Sequence, residues 1–228
     1  MWASIIYHFR ESHLLARIAL VAFLLSLPFF IFMNASWVVS NPEIATIQDI
    51  FHTHFMGDSV IPAFLLTMYC AFVRYSPEER VRVKSLQGVY TYITASTAVS
   101  AGIALCTTLL TQIALWGREL PRITSTDVFF AGLQVFMMLE TVGMVVFILT
   151  CLRLPIEMVT AFFVTFYMLA EWILSTWIEW VYRTVFYFTL LKSSQGLLFD
   201  AVLPFLGFMA LTSLISGTLW TKIERGVE

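Results

Sequence analysis

Long apolar runs separated by short polar segments dominate this chain. Six such runs cover about residues 16–39, 55–73, 89–116, 128–152, 156–176 and 198–220. A helix needs about 20 mainly apolar residues to cross the hydrocarbon core of a bilayer, and each run is close to that length. The pattern therefore predicts an all-α fold, a polytopic membrane helix bundle with six transmembrane helices in one domain spanning residues 1–228.

Two further segments are apolar but do not suit a simple crossing. Residues 1–15 place apolar side chains on one helical side and polar ones on the other, which predicts an N-terminal interfacial helix. An untidy extension of span one explains that segment equally well. After span five, the aromatic stretch 177–191 carries Glu179 and Arg183, which predicts a re-entrant or interfacial segment between spans five and six.

Composition and charge support the membrane interpretation. Mean hydropathy is +0.84, and only 12% of residues are charged, against about a quarter in soluble domains. With six spans, the segments on the side of the N-terminus hold nine Lys and Arg residues and the opposite segments hold four. Because short cytoplasmic segments are enriched in Lys and Arg, we expect a multi-pass cell-membrane protein with both termini cytoplasmic. The run that follows Arg17 also suits a signal peptide, and we interpret it as a retained first span.

The densest block of charge lies between spans two and three, in the sequence RYSPEERVRVK of residues 74–84. Ser76 suits an N-cap and Pro77 the first helical position. Acidic residues follow at once, where they favour the positive end of the helix dipole, and basic residues come later. We therefore predict a short charged helix at the membrane surface, built on Glu78, Glu79, Arg80, Arg82 and Lys84.

Span three repeats small residues at a spacing of four, in the sequence TASTAVSAGIALCTT. The pairs are Ser96 with Ser100, Ala98 with Gly102, and Ser100 with Ala104. Small residues at this spacing allow two helix backbones to approach closely in a membrane. We expect this span to pack tightly in the bundle or against a second copy, although such pairs are also common in spans without that role.

Two acidic residues within apolar runs are candidate functional residues. Glu140 lies at the centre of span four, and Glu171 lies in span five. An ionisable side chain at the bilayer centre costs about 2.5–3.5 kcal/mol on insertion scales, so it commonly marks a functional site. A hydrogen bond from Glu140 to Gln134 or to a span-three hydroxyl, holding helices together, is the competing explanation.

Common catalytic and nucleotide-binding motifs are absent from the sequence. No lysine is preceded by glycine, which excludes a GxxxxGK phosphate loop, and neither GxSxG nor HExxH occurs. We therefore expect no enzymatic activity in this chain. His52 and His54 lie two residues apart, an insufficient set for a metal site, and the three cysteines suit packing.

The layout resembles that of the ABC-2 type permeases, specifically the small six-span permeases of bacteriocin or lantibiotic immunity and of peptide export. The sequence that most resembles the family is SPEERVRVKSLQGVYTYITAS, residues 76–96. At this place the permeases of the family commonly carry acidic residues, then a basic residue and a leucine, and then a turn into span three. The dipeptide Gln87-Gly88 departs from the proline and small residue that are frequent in the family at this turn.

The resemblance implies a role for the charged helix and a set of partners. In that family the helix is the coupling helix that docks on an ATPase subunit, which by position would involve Glu78, Glu79, Arg80, Arg82 and Lys84. It also implies ATP and Mg²⁺ on that partner, a second permease copy, surrounding lipid, no nucleic acid, and an exported peptide or amphipathic substrate. The alternatives are an ion- or proton-coupled carrier or channel using Glu140 and Glu171, a membrane enzyme, and an accessory protein.

Overall fold

The computed structural model describes residues 10, 14–40, 56–71, 86–116, 125–152, 154–170, 173, 176–178, 180 and 196–225. Within these ranges the chain is helical and contains no strand. The all-α fold class is therefore confirmed for the part of the protein that the structure describes.

Six helices of ten or more residues form this part of the chain. They are α1 (Leu14–Ser40), α2 (Ile61–Ala71), α3 (Leu86–Trp116), α4 (Ser125–Cys151), α5 (Ile156–Thr165) and α6 (Leu203–Arg225). Three π-helical turns extend them: Met56–Val60 leads into α2, Phe166–Ala170 follows α5, and Leu198–Val202 leads into α6. The helices follow the six apolar runs in order, with described ends within a few residues of the predicted bounds. The last part of the predicted span five, residues 171–176, lies mostly outside the described residues.

Length and composition qualify three of the described stretches as membrane-crossing helices. These are Leu86–Cys106, Thr126–Cys151 and Leu198–Thr221, whereas Leu14–Ser26, Ile61–Cys70 and Ile156–Leu169 are shorter apolar helices. The described helices thus fit a membrane protein. Six crossings and the two interfacial segments stay predictions.

Two of the π-helical turns lead into a helix whose second residue is proline. Pro62 and Pro204 are the second residues of α2 and α6, and the amide of Leu203 donates to the carbonyl oxygen of Leu198, five residues back. Proline has no N–H to donate, and its ring crowds the carbonyl four residues earlier, so a wider turn accommodates it. A proline within an apolar span predicts a kink, and in span six the structure shows a π-helical turn that ends two residues before Pro204.

Helix α4 lies at the centre of the bundle. It packs against α2, α3, α5 and α6, and 72% of its apolar stretch is buried, against 6% for the stretch that contains α6. Its residues Val135, Leu139, Met144 and Phe147 belong to the main apolar core. Helices α1, α2 and α3 also pack on one another, so α4 is the element around which most of the others are arranged.

Two glycines let neighbouring helices approach α4. A methyl group built on Gly132 would lie 2.7 Å from Leu105 Cδ1 of α3, and one on Gly143 would lie 3.1 Å from Ile93 Cγ2. Gly132 and Gly143 are eleven residues apart, which is close to three full helical turns, so both face the same side of α4. The packing of Leu105 and Ile93 of α3 against α4 therefore depends on glycine at these two positions.

The small residues of α3 divide between two faces. Ser96, Ala101 and Ala104 are buried, and α3 makes extensive contact with α4 and α1. Ala98 is exposed, and a methyl group on Gly102 would meet nothing within 4 Å. Of the residues in the predicted pairs, Ser96 and Ala104 therefore lie on the packed face, whereas Ala98 and Gly102 lie away from it.

The contacts fix which helix ends lie together. Tyr90, near the start of α3, stacks edge-on against Phe147, near the end of α4, and its hydroxyl contacts Ser216 of α6. Cys70, at the end of α2, packs with Ala16 at the start of α1. The starts of α1 and α3 and the later parts of α2, α4 and α6 therefore share one end of the bundle, which we call the Leu86 end.

Candidate intramembrane polar site

Glu140 lies midway along α4 and is almost completely enclosed. Its side chain is 3% exposed, and its Oε1 accepts a hydrogen bond of 2.8 Å from Thr94 Oγ1 of α3. This contact joins the central helix to its most extensive neighbour. Of the two partners that the sequence offers, Gln134 and a span-three hydroxyl, the hydroxyl is the one that bonds to Oε1.

A second α3 hydroxyl faces the same carboxyl group. Thr97 is fully buried, at 0% exposure, and its hydroxyl interacts with the Glu140 side chain. Neither Thr97 Oγ1 nor Glu140 Oε2, however, meets hydrogen-bond geometry with any partner in the described part of the protein. The site thus combines one satisfied carboxylate oxygen with one that still has its acceptor capacity.

Apolar side chains enclose these polar groups. Ile93 and Leu139, each next to a polar residue of the site, are 0% exposed, and Gly143 places Ile93 and Phe64 against α4. In such surroundings each electrostatic interaction is stronger than in water, and an unpartnered polar atom is correspondingly costly. The unpartnered oxygens are therefore the feature of the site that most needs a chemical explanation.

Two other buried hydroxyls of the bundle are satisfied by their own helix. Thr141 donates to the carbonyl oxygen of Met137 at 2.9 Å, and Ser216 donates to that of Thr212 at 2.6 Å. Such local bonds are the usual solution for Ser and Thr in membrane helices. Thr97 and Ser100 differ from them, because the hydroxyls of both are buried without a hydrogen-bond partner among the described residues.

A second polar contact joins α3 to α6. The Tyr90 hydroxyl contacts the Ser216 hydroxyl and lies 3.5 Å from the carbonyl oxygen of Ser213. Thr212 and Ser216 are buried and lie four residues apart, on one face of α6. That spacing is the sequence signal for this contact, although it does not reveal which helix supplies the partner.

Several residues singled out from the sequence lie outside the described ranges. These are His52, His54, Glu78, Glu79, Arg80, Arg82, Lys84, Glu171, Glu179 and Arg183. Of the predicted site residues, Glu140 is the one that the structure places. In the described part, no group of three or more His, Cys, Asp and Glu side chains forms a candidate metal site, and the three cysteines are free thiols.

Comparison of the sequence with known protein families and with curated proteins, and of the structure with solved structures, finds no match. The functional interpretation therefore depends on the residues and the helix arrangement.

Proposed function

We propose that this chain is the membrane permease subunit of an ATP-driven exporter of the ABC-2 type, which moves a peptide or amphipathic substrate across the cell membrane. The supporting observation is the charged segment 74–84, which connects α2 to α3. ATP and Mg²⁺ would bind to a partner subunit, because the chain has no phosphate-binding loop.

The position of the flanking helix ends supports a single cytoplasmic side. Ala71 and Leu86, which flank the charged segment, belong to the Leu86 end of the bundle, together with Cys151 and Arg225. The segments attached at this end carry nine of the thirteen Lys and Arg residues of the chain. That distribution is typical of the cytoplasmic side of a multi-pass protein and favours cytoplasmic termini.

The helix packing offers a path for force from the charged segment into the bundle. Segment 74–84 is covalently joined to α2 and α3, and both of these helices pack on the central α4. A partner that pushes on the segment would move α2 and α3 relative to α4. The Thr94–Glu140 hydrogen bond and the contacts of Gly143 lie at that interface, so they would respond first.

The outer surface of α6 is available for lipid or for a second permease copy. Only 6% of the stretch Leu198–Thr221 is buried, and a methyl group on Gly207 or Gly217 would meet nothing within 4 Å. An exporter of this type would form its substrate path between two permease chains. We assign α6 to the lipid-facing or copy-facing side of such a complex.

Charge reversal in segment 74–84 tests the proposal. The variant Glu79→Arg, Arg80→Glu, Arg82→Glu keeps the segment charged but inverts the pattern, and the matched control is Arg118→Glu, Arg122→Glu on the opposite side. We expect a soluble ATPase, identified by mass spectrometry and ATP hydrolysis, to co-purify in mild detergent with the wild type and the control. It should be lost from the charge-reversed variant. Absence of an ATPase from all three preparations, with the permease intact, would contradict the proposal.

An ion- or proton-coupled carrier or channel is the second candidate function, and the unpartnered Oε2 of Glu140 favours it. Carboxylates inside membrane bundles commonly line ion pathways or proton relays. Glu171 would belong to the same pathway. This function predicts transport by the purified chain in vesicles without any ATPase, with loss of transport in Glu140→Gln.

A further inference from the structure

Two threonines of α3 turn their hydroxyls toward Glu140 rather than toward their own helix. Thr94 Oγ1 donates to Glu140 Oε1 at 2.8 Å, and the Thr97 hydroxyl interacts with the same carboxyl group. Elsewhere in the bundle, Thr67 and Thr141 donate to the carbonyl oxygen four residues back. Thr94 and Thr97 lie three residues apart, so they share the face of α3 that is directed at the middle of α4.

The described parts of the helices around this carboxyl group bring no positive charge close to it. Helix α4 packs against α2, α3, α5 and α6, and the basic residues within these five helices are Lys222 and Arg225, both in the last turn of α6. That turn lies at the Leu86 end of the bundle, and a rise of about 16 Å separates Glu140 from Cys151 at the same end. The two threonine hydroxyls that interact with the carboxyl group are neutral.

We propose that Glu140 is a neutral carboxylic acid, and that its proton lies on Oε2 and is donated to Thr97 Oγ1. A carboxylate in apolar surroundings is costly without a positive partner, and such a group takes up a proton instead. Oε1 already accepts from Thr94, so the proton belongs on Oε2, which has no other hydrogen bond among the described residues. Thr97 could also donate to an ionised Oε2, but that arrangement would leave the negative charge in the apolar core. The charge therefore decides between the two directions of this bond.

The protonated group joins α3 to α4 at two points. A neutral carboxyl group has one donor and one carbonyl acceptor, and Thr94 and Thr97 provide one partner for each. The interface then holds a proton and carries no net charge. Separation of α3 from α4 would expose the carboxyl group to water, where glutamate is ionised at neutral pH. Opening of this interface thus releases a proton to water and closing takes one up, whatever drives the motion.

Infrared spectroscopy of the purified full-length chain at neutral pH, in a maltoside detergent that has no ester carbonyl, tests the proposal. We expect the difference spectrum of wild type minus Glu140→Gln to contain the C=O stretching band of a protonated carboxylic acid. Removal of either hydrogen-bond partner, in Thr94→Val or Thr97→Val, should move that band to higher wavenumber, because hydrogen bonding weakens the C=O stretch. The matched control is Thr141→Val, which should leave the band in place because the Thr141 hydroxyl bonds to its own helix.

The stability of Glu140→Gln gives a second measurement. The amide oxygen can accept from Thr94 and the amide nitrogen can donate to Thr97, so the substitution reproduces both bonds of the neutral acid. We expect its Tm to lie within about 2 °C of the wild type. If the wild type instead buried an ionised carboxylate, removal of that charge would raise the Tm by about 5 °C or more.

Three results would overturn this proposal. Carboxylate bands in place of the C=O band would show that Glu140 is ionised, and a large rise in the Tm of Glu140→Gln would show the same. A C=O band that stays unchanged in both Thr94→Val and Thr97→Val would show that the acid does not bond to α3. Neither measurement needs an ATPase, so failure here and failure of the exporter proposal are distinguishable.

Discussion

Replacement of Gly143 by leucine gives the sharpest test of the α4-centred packing. A methyl group at this position would lie 3.1 Å from Ile93 Cγ2, 3.3 Å from Phe64 Cζ and 3.8 Å from Met68 Cε. Carbon atoms pack favourably at about 3.5–4.0 Å, so Ile93 must already move by about 0.5 Å to accept the first added carbon atom. Leucine adds three more carbons to this contact. Ile93 and Phe64 are 0% and 1% exposed, which leaves them no free space to move into.

The expected cost follows from that geometry. Overpacking a filled core costs about 1–3 kcal/mol, and more for several added atoms. We therefore expect Gly143→Leu to lose about 3 kcal/mol of stability, which corresponds to a fall in Tm of about 6–12 °C for a chain of this size. The readout is the temperature at which half of the detergent-solubilised protein disappears from the monodisperse peak in size-exclusion chromatography.

Gly207→Leu is the matched control on α6. It makes the same chemical change where a methyl group would meet nothing within 4 Å, and we expect its Tm to stay within about 2 °C of the wild type because surface substitutions have small effects. Equal Tm values for Gly143→Leu and the wild type would refute the close approach of α2 and α3 to α4. A larger loss in Gly207→Leu than in Gly143→Leu would refute the assignment of α4 as the central helix.

Two further predictions concern the polar contacts of α3. Thr94→Val removes the hydroxyl that donates to Glu140, and we expect a loss of about 0.6 kcal/mol, the average for hydrogen bonds between membrane helices, with about 1.7 kcal/mol as the upper limit. Denaturant unfolding measures the loss, and no loss would mean that the bond adds nothing to stability. Tyr90→Phe keeps the ring against Phe147 but removes the contact with the Ser216 hydroxyl. We expect α6 to separate more readily, seen as faster proteolysis at the end of α6 with little change in Tm, and unchanged proteolysis would contradict this role.

The helices themselves are largely predictable from the sequence. The apolar run 128–152 corresponds to α4 (Ser125–Cys151), and the run 89–116 corresponds to α3 (Leu86–Trp116). These agreements have a physical basis, because a long apolar run has few other ways to satisfy its backbone hydrogen bonds in a membrane. The polar residue of greatest interest, Glu140, is also visible in the sequence, since a carboxyl group interrupts an otherwise apolar run.

The arrangement of the helices is less predictable. Hydropathy shows that α4 and α6 are both apolar, but it does not reveal that one is central and the other peripheral, because lipid and protein core select similar side chains. The close packing at Gly132 and Gly143 corresponds to an eleven-residue spacing in α4, whereas the small residues that predict packing from the sequence are spaced by four in α3. The partners of Glu140 depend on the register between α3 and α4, which no single helix encodes.

The proposed docking of segment 74–84 on an ATPase is tested most directly by photo-crosslinking in intact cells. A photoreactive amino acid at position 82 should form an adduct with a protein that binds ATP, and the same amino acid at position 122 should not. At both positions the photoreactive amino acid replaces an arginine, so the two variants are a matched pair. Adducts to an ATP-binding protein from position 82 alone are the result that we predict. No such adduct from position 82, or equal adducts from both positions, would contradict the claim.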